Sequence, residues 1–323
     1  MHAAAGPPPL PASIEKHIPY VEGGTSKQTV DVYREEGSAT GRPALVMVHG
    51  GGFAGGSPDD LARQARLAAE QGWVAFNLDY RTTGELGTDG EAWPTELDDV
   101  RAGVAWVRSH AAEYGADPHK ISILGSSAGG TLAALASADR STDVRVAALW
   151  SAPADLVGLV PGANGIPPAC GQNNQCIQFW SRPWLTNLLG CTPESCPDRF
   201  AAASPIMHTA EMPQTFIANG TEEIVPLDQA EAMATALQGH DITTDLQEVA
   251  GARHGHTATE AVWNDTMAFL ARGLDVPEPE PIDFDDSLLD FGWATLAILL
   301  ALVGIVVAVV ARIASDRTRG PTQ

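Results

Sequence analysis

ISILGSSAGGTLAALASA, residues 121–138, places a glycine-flanked serine between an apolar run and a run of small residues. Ile121 to Leu124 reads as a strand, and Ala128 to Ala138 reads as a helix that follows it with no loop. The junction, Gly125 to Gly129 (GSSAG), fits the G-x-S-x-G pattern of a nucleophile elbow. A serine there must sit on a sharp strand-to-helix turn, where a Cβ on either flank would clash. Glycines at 125 and 129 remove that clash. The helix N-terminus behind Ser127 favours negative charge beside it. The bare pattern is common by chance. What makes it specific here is the strand before it and the helix after it, and Ser127 is the candidate nucleophile.

Outward from this junction, short apolar runs alternate with helical patterns. Strands are predicted at 29–33, 44–48, 73–78, 144–150, 214–218 and 242–249. Helices are predicted at 58–71, 95–114, 128–138, 227–237 and 257–270, with Leu97, Val100, Val104 and Val107 at helical spacing in the second. Such alternation builds βαβ units and a mainly parallel sheet with helices on both faces, an α/β fold. Residues 26–273 are the expected catalytic domain, preceded by a loose arm at 1–25 that is rich in Pro, Gly and Ala at its start. The pattern breaks at about 152–203, a Pro-, Gly-, Asn- and Cys-rich insertion expected to cap one end of the sheet. Phe179, Trp180 and Trp184 are either a pocket wall or the insertion's own small core.

All 4 cysteines lie in this insertion. CGQNNQC and CTPESC are not the C-x-x-C of a zinc knuckle, and no histidine lies among them. Two disulfides are expected, Cys170–Cys176 and Cys191–Cys196, because short loops close easily. Disulfides in turn imply an oxidising compartment.

Residues 274–290 carry Asp275, Glu278, Glu280, Asp283, Asp285, Asp286 and Asp290 with prolines and no Lys or Arg, which predicts a solvated linker. From 291 to 311 no residue is charged, and Arg312, Arg317 and Arg319 follow in the short tail 312–323. The uncharged stretch is long enough to cross a bilayer core of about 30 Å, so a single C-terminal transmembrane helix is expected. The arginines predict a cytoplasmic tail and an extracytoplasmic catalytic domain. The opening, MHAAAGPPPLPASIEKH, lacks the charged and apolar regions of a secretory signal, so the native start is expected to lie elsewhere. The net charge of -21 argues against a nucleic-acid partner.

Directly after the strand at 44–48 comes HGGGF, His49 to Phe53. Its glycines let the backbone approach a bound group and turn N–H donors inward, as a developing oxyanion requires. No Gly-Lys-Ser/Thr follows, which excludes a P-loop. His49 reads as a structural residue that positions the loop. HGGGF, DYR at 79–81, WPTELDD at 93–99 and GSSAGG at 125–130, in this order, resemble the hormone-sensitive-lipase-like and related carboxylesterase branches of the α/β-hydrolases. The resemblance covers about residues 25–272. It implies the α/β-hydrolase fold, hydrolysis of carboxylic esters, and oxyanion-hole donors on the amides of Gly51, Gly52 and Ala128. Two positions depart from it: Ser126 stands where many relatives have Asp, and TTGE follows DYR in place of LAPE.

In this family the base is a histidine in a late loop. AGARHGHT, residues 250–257, offers His254, which matches the position before a glycine, with His256 as competitor. The acid is expected after the strand at 214–218, where the family reads roughly H-G-x-x-D-x-x-V-P and this chain reads NGTEEIVP, one residue shorter. Counting from Gly220 gives Glu223; counting back from Val225-Pro226 gives the alternative, Glu222; Asp228 is more distant. The expected chemistry is an acyl-enzyme route on a small-molecule ester, with no metal or organic cofactor. Amides, formamides and peptides could be cleaved by the same groups, and a non-catalytic, membrane-displayed binding module is the rival from another class.

Overall fold

Strands covered on both faces read as unbroken apolar runs, and in the structure those runs lie side by side. A computed structural model describes residues 12–37, 39–86, 92–160, 184–251 and 253–284. Eight strands form one sheet: β1 (Ala12–Pro19), β2 (Thr29–Glu35), β3 (Arg42–Val48), β4 (Val74–Leu78), β5 (Ala116–Ser126), β6 (Val146–Trp150), β7 (Gln214–Gly220) and β8 (Thr244–Val249). Their order is β1-β2-β4-β3-β5-β6-β7-β8. β1 and β2 run antiparallel to their neighbours, and β4 through β8 are joined by parallel pairings.

Alternate residues of each central strand serve opposite faces. Val46 and Val48 of β3 and Ile121 and Ile123 of β5 join one core with Val100 and Val104 of α2 (Ala92–His110) and Leu132 of α3 (Ala128–Ala138). The same core reaches Leu237 of α5 (Leu227–Gln238), the helix after β7. The intervening Leu45, Met47 and Leu124 are equally buried, and they serve the other face. That face is closed by α1 (Ala62–Glu70) and α6 (Thr259–Gly273). Gln64 Nε2 donates to Thr259 Oγ1 at 2.6 Å and Trp263 Nε1 to Gln71 Oε1 at 2.9 Å, tying these two helices together. Trp150 of β6 meets Trp263 edge to face with ring centroids 6.2 Å apart. Each such buried side chain contributes about 1.5–3 kcal/mol.

The register aligns the carboxyl ends of the strands. Val48 pairs with Gly125, Ser126 with Trp150, Trp150 with Ala218 and Gly220 with Val249. The turns after β3, β5, β6, β7 and β8 therefore open on one edge of the sheet, the usual place for a ligand in an open α/β sheet.

Two expectations about domain limits are corrected. The loose arm at 1–25 contains β1, whose Ile14 pairs with Tyr33 and Ile18 with Val30. A bulge between Glu15 and Ile18 breaks the alternation, which is why the sequence shows no period. His17 sits in the bulge at φ 58 and its amide donates to Asp31 Oδ1 at 2.8 Å. The acidic linker also starts later than expected. Residues 274–280 pack on the domain: Leu274 is buried, Arg272 pairs with Glu278 at 3.0 Å, and Gln71 Nε2 donates to the Glu280 carbonyl at 2.8 Å. The compact unit accordingly runs to Glu280. The expected transmembrane segment 291–311 and tail 312–323 lie outside the described residues. Among the described residues no helix is long and apolar enough to cross a membrane.

The insertion at 152–203 is less irregular than its composition suggests. Residues 184–189 are helical, as is α4 (Pro197–Ala203). Cys191 and Cys196 form a disulfide with Cα atoms 6.1 Å apart. Cys170, Cys176, Phe179 and Trp180 lie outside the described residues. Peptide mapping without reductant is expected to recover Cys191–Cys196 as a cross-linked pair. A cross-link from either of them to Cys170 or Cys176 would contradict this. A loop this short limits the gain to about 2 kcal/mol of stability, the loss expected on reduction.

Candidate active site

Ser127 occupies the turn between β5 and α3 at φ 56 and ψ -126. A non-glycine residue in that region costs about 1–3 kcal/mol and is held there by its surroundings. Here the Ser127 amide donates to the Trp150 carbonyl at 2.8 Å, and the Ser127 carbonyl accepts from Gly130 N–H at 2.8 Å. The flanking glycines are close-approach positions. A Cβ on Gly125 would strike the Gly129 carbonyl, and one on Gly129 would strike the carbonyls of Val48 and His49.

His254 Nε2 lies 2.9 Å from Ser127 Oγ. On the other side of the ring, His254 Nδ1 hydrogen-bonds Glu223 Oε2. Glu223 is buried through its side chain, and its second oxygen accepts the Gly220 amide at 3.1 Å. The turn after β7 decides which glutamate faces inward. Thr221 N–H donates to the Val249 carbonyl at 2.8 Å and Glu222 N–H to the Gly251 carbonyl at 3.0 Å. This leaves Glu222 exposed and turns Glu223 towards the imidazole. Asp228 is exposed in the first turn of α5. His256 lines the mouth of the cavity and is exposed.

Two serines fix the histidine loop. Ser151 Oγ accepts the Gly255 amide at 2.7 Å, and Ser126 Oγ accepts the His256 amide at 3.2 Å. Both serines are buried. Ser126, the departure from the family's Asp, thus anchors the loop with a neutral hydroxyl. Ser151 carries no sequence signal beyond its place directly after the apolar run of β6.

Gly51 and Gly52 adopt φ 126 and 62 in the turn after β3, and both line the cavity beside Ser127 and Ala128. Ala128 opens α3, where the first amides of a helix have no intrahelical acceptor. The turn is buttressed from below. His49 is fully buried, stacked on Tyr80 at 4.4 Å, with Nε2 3.3 Å from Asp79 Oδ1. Tyr80 Oη donates to the His49 carbonyl at 2.8 Å, so Asp79 and Tyr80 of DYR hold the glycine turn. At its far end the Phe53 carbonyl accepts Thr83 N–H at 2.9 Å and Thr83 Oγ1 at 3.0 Å. The Thr83 amide lies also 3.1 Å from Glu96 Oε1. Burial pushes the Glu96 carboxyl well above the usual carboxylate range. Tyr80, Thr83 and Glu96 are supports that spacing alone does not reveal.

The cavity measures about 350 Å³. Phe53, Pro153, Leu159, Trp184, Leu185, Ile224 and Val225 make most of it apolar, and Asp60 and His256 add polar groups to its lining. Trp184 is therefore part of the pocket wall. Among the described residues no three His, Cys, Asp or Glu side chains converge as a metal site would require. The arrangement offers a hydroxyl, an imidazole and a carboxylate in series at the floor of an apolar pocket, beside a glycine turn rich in backbone amides.

Comparison with known proteins agrees with this architecture. A truncated carbohydrate esterase from gut microbiota superposes with a TM-score of 0.68 at 20% identity, over 84% of this chain and 99% of that one. Esterase 2 of Thermogutta terrifontis, solved after phosphonylation by sarin, gives 0.63 at 25% identity, over 85% of this chain and 99% of that one. Esterase LipQ of Mycobacterium tuberculosis is 30% identical over 258 residues, 77% of this chain. The chain spans 59% of that relative's own length. The family model BD-FAE matches residues 30–237, from the start of β2 to the end of α5. With the larger part of the chain matched, and the sheet order and elbow in place, this protein belongs to the BD-FAE family and has the α/β-hydrolase fold.

Proposed function

We propose that this chain is a serine hydrolase that cleaves carboxylic esters through an acyl-enzyme. The observation that carries the reading is the unbroken hydrogen-bonded series from Ser127 through His254 to buried Glu223. His254 Nε2 takes the Ser127 proton as Oγ attacks the ester carbonyl carbon. Glu223 holds the ring with Nδ1–H towards it and stabilises the imidazolium that forms. The oxyanion is received by the amides of Gly51, Gly52 and Ala128. As the tetrahedral intermediate collapses, His254 returns its proton to the departing alkoxide. Water, activated by the same imidazole, then releases the acid and restores Ser127. Phosphonylation of the Thermogutta esterase by sarin supports a nucleophilic hydrolase mechanism for this chain. A fluorophosphonate probe is expected to label Ser127 and to block hydrolysis of simple esters. Stoichiometric labelling at another residue, or none, would overturn the reading.

The same proposal includes attachment to a membrane through 291–311, with the catalytic domain outside and the arginine-bearing tail inside. Its support is the uncharged stretch followed by Arg312, Arg317 and Arg319. A second disulfide, Cys170–Cys176, belongs with that location. Protease added to intact cells is expected to release an active fragment cut within 281–290. Release only after lysis would place the domain in the cytoplasm.

A further inference from the structure

Of the described residues that line the cavity beside Ser127, Asp60 alone carries a formal charge when histidine is counted as neutral. Its carboxylate is held in place from behind. It lies in a single 3-10 turn, Pro58–Leu61, whose Leu61 is fully buried and whose Pro58 carbonyl accepts Asn77 Nδ2 at 2.6 Å. The Ser57 amide donates to Asp60 Oδ2 at 3.2 Å, and Oδ1 has no hydrogen-bond partner among the described residues. Basic residues near it in the fold are engaged elsewhere: Lys16 pairs with Asp59 at 3.0 Å, Arg63 with Glu260 at 3.3 Å, and Arg66 stands over the Tyr33 ring.

The segment that carries Asp60 is fastened to the histidine loop. Gln64, near the start of α1, donates through Nε2 to the His256 carbonyl at 3.3 Å, and His256 lines the same cavity. The leaving oxygen must collect its proton from His254 Nε2, so the alcohol departs beside this loop, on the flank that Asp60 shares.

A carboxylate with a free oxygen attracts a positive group on that flank and repels a negative one. The attraction at an exposed carboxylate is modest, but Phe53 and Trp184 line the same cavity, and aromatic rings add attraction for a cation. The net charge of -21 draws cations towards the protein from farther away. We infer that Asp60 reads the charge of the alcohol, and that the site takes esters whose alcohol carries an ammonium group. This rests on the esterase reading.

The test compares kcat/KM for acetylcholine and for 3,3-dimethylbutyl acetate, its uncharged isostere, on the full chain of wild type, D60N, D60K and D60E. The ratio cancels any loss common to both esters. Wild type is expected to favour the cation. D60N is expected to lower the cation-to-neutral ratio about threefold and D60K about tenfold, while D60E keeps it, in line with the strength of an exposed ion pair and its reversal. Raising salt from about 0.02 to 0.5 M should lower the wild-type ratio, a measurement that needs no variant to fold. A wild type that favours the neutral ester, a wild-type ratio indifferent to salt, or a D60N ratio equal to that of wild type overturns the inference. So does a D60N effect confined to charge on the acyl side, read with betaine ethyl ester against ethyl 3,3-dimethylbutanoate. If these ratios fail while p-nitrophenyl acetate is cleaved and fluorophosphonate labels Ser127, only the inference about Asp60 falls. No cleavage and no label overturn the esterase reading, and this inference with it.

Discussion

Ser127→Ala is expected to lower ester hydrolysis by about a millionfold, the scale seen when a triad nucleophile is removed. The same substitution should leave the melting temperature nearly unchanged. The reason lies in what Ser127 contributes to each. Its Oγ has His254 Nε2 as its hydrogen-bond partner, while its place in the turn is held by backbone bonds to Trp150 and Gly130 that alanine keeps. Alanine also retains the Cβ, so the cost of φ 56 is the same in both proteins. Steady-state hydrolysis of p-nitrophenyl acetate with a thermal melt on the same sample checks both halves. Activity within tenfold of wild type would remove Ser127 from the mechanism.

The second large effect separates two adjacent glutamates. Glu223→Gln is expected to lower kcat about 10⁴-fold, because an amide in place of the carboxylate no longer stabilises the imidazolium and can favour the wrong tautomer. The Gly220 amide can still find an acceptor in the glutamine oxygen, so the turn should survive. Glu222→Gln is expected to change kcat by less than about twofold, since Glu222 is exposed and a surface substitution of this kind perturbs little. Parallel kcat measurements with both variants decide it, and the reverse ranking would transfer the role to Glu222.

How far the sequence reaches depends on whether a feature is local. The central strands are legible because burial on both faces demands continuous apolar residues, as in Ala44 to Val48. The elbow is legible because a close approach of backbones demands glycine at 125 and 129. The choice between Glu222 and Glu223 is harder, because the turn that orients them is set by carbonyls of Val249 and Gly251, on the next strand and its loop. β1 is obscured by its bulge, and a bulge is defined by its partner strand. Ser126, Ser151, Thr83 and Glu96 support the site through contacts with distant segments, which the motifs that contain Ser126 and Glu96 do not specify. Residues 274–280 read as linker from their charge, yet Arg272 and Gln71 draw them onto the domain.

The serine clamp on the histidine loop has a mechanical consequence. Ser126 is the chain neighbour of Ser127, and Ser151 follows the strand whose Trp150 carbonyl holds the Ser127 amide. The proposed base and nucleophile, His254 and Ser127, are thus fastened to the same two strands, β5 and β6. When the sheet breathes, both ride on it as one body, and the 2.9 Å gap between Nε2 and Oγ is carried along. Warming this protein should then not detune its chemistry by degrees. The fastening lasts as long as the centre of the sheet, so activity and fold are lost together.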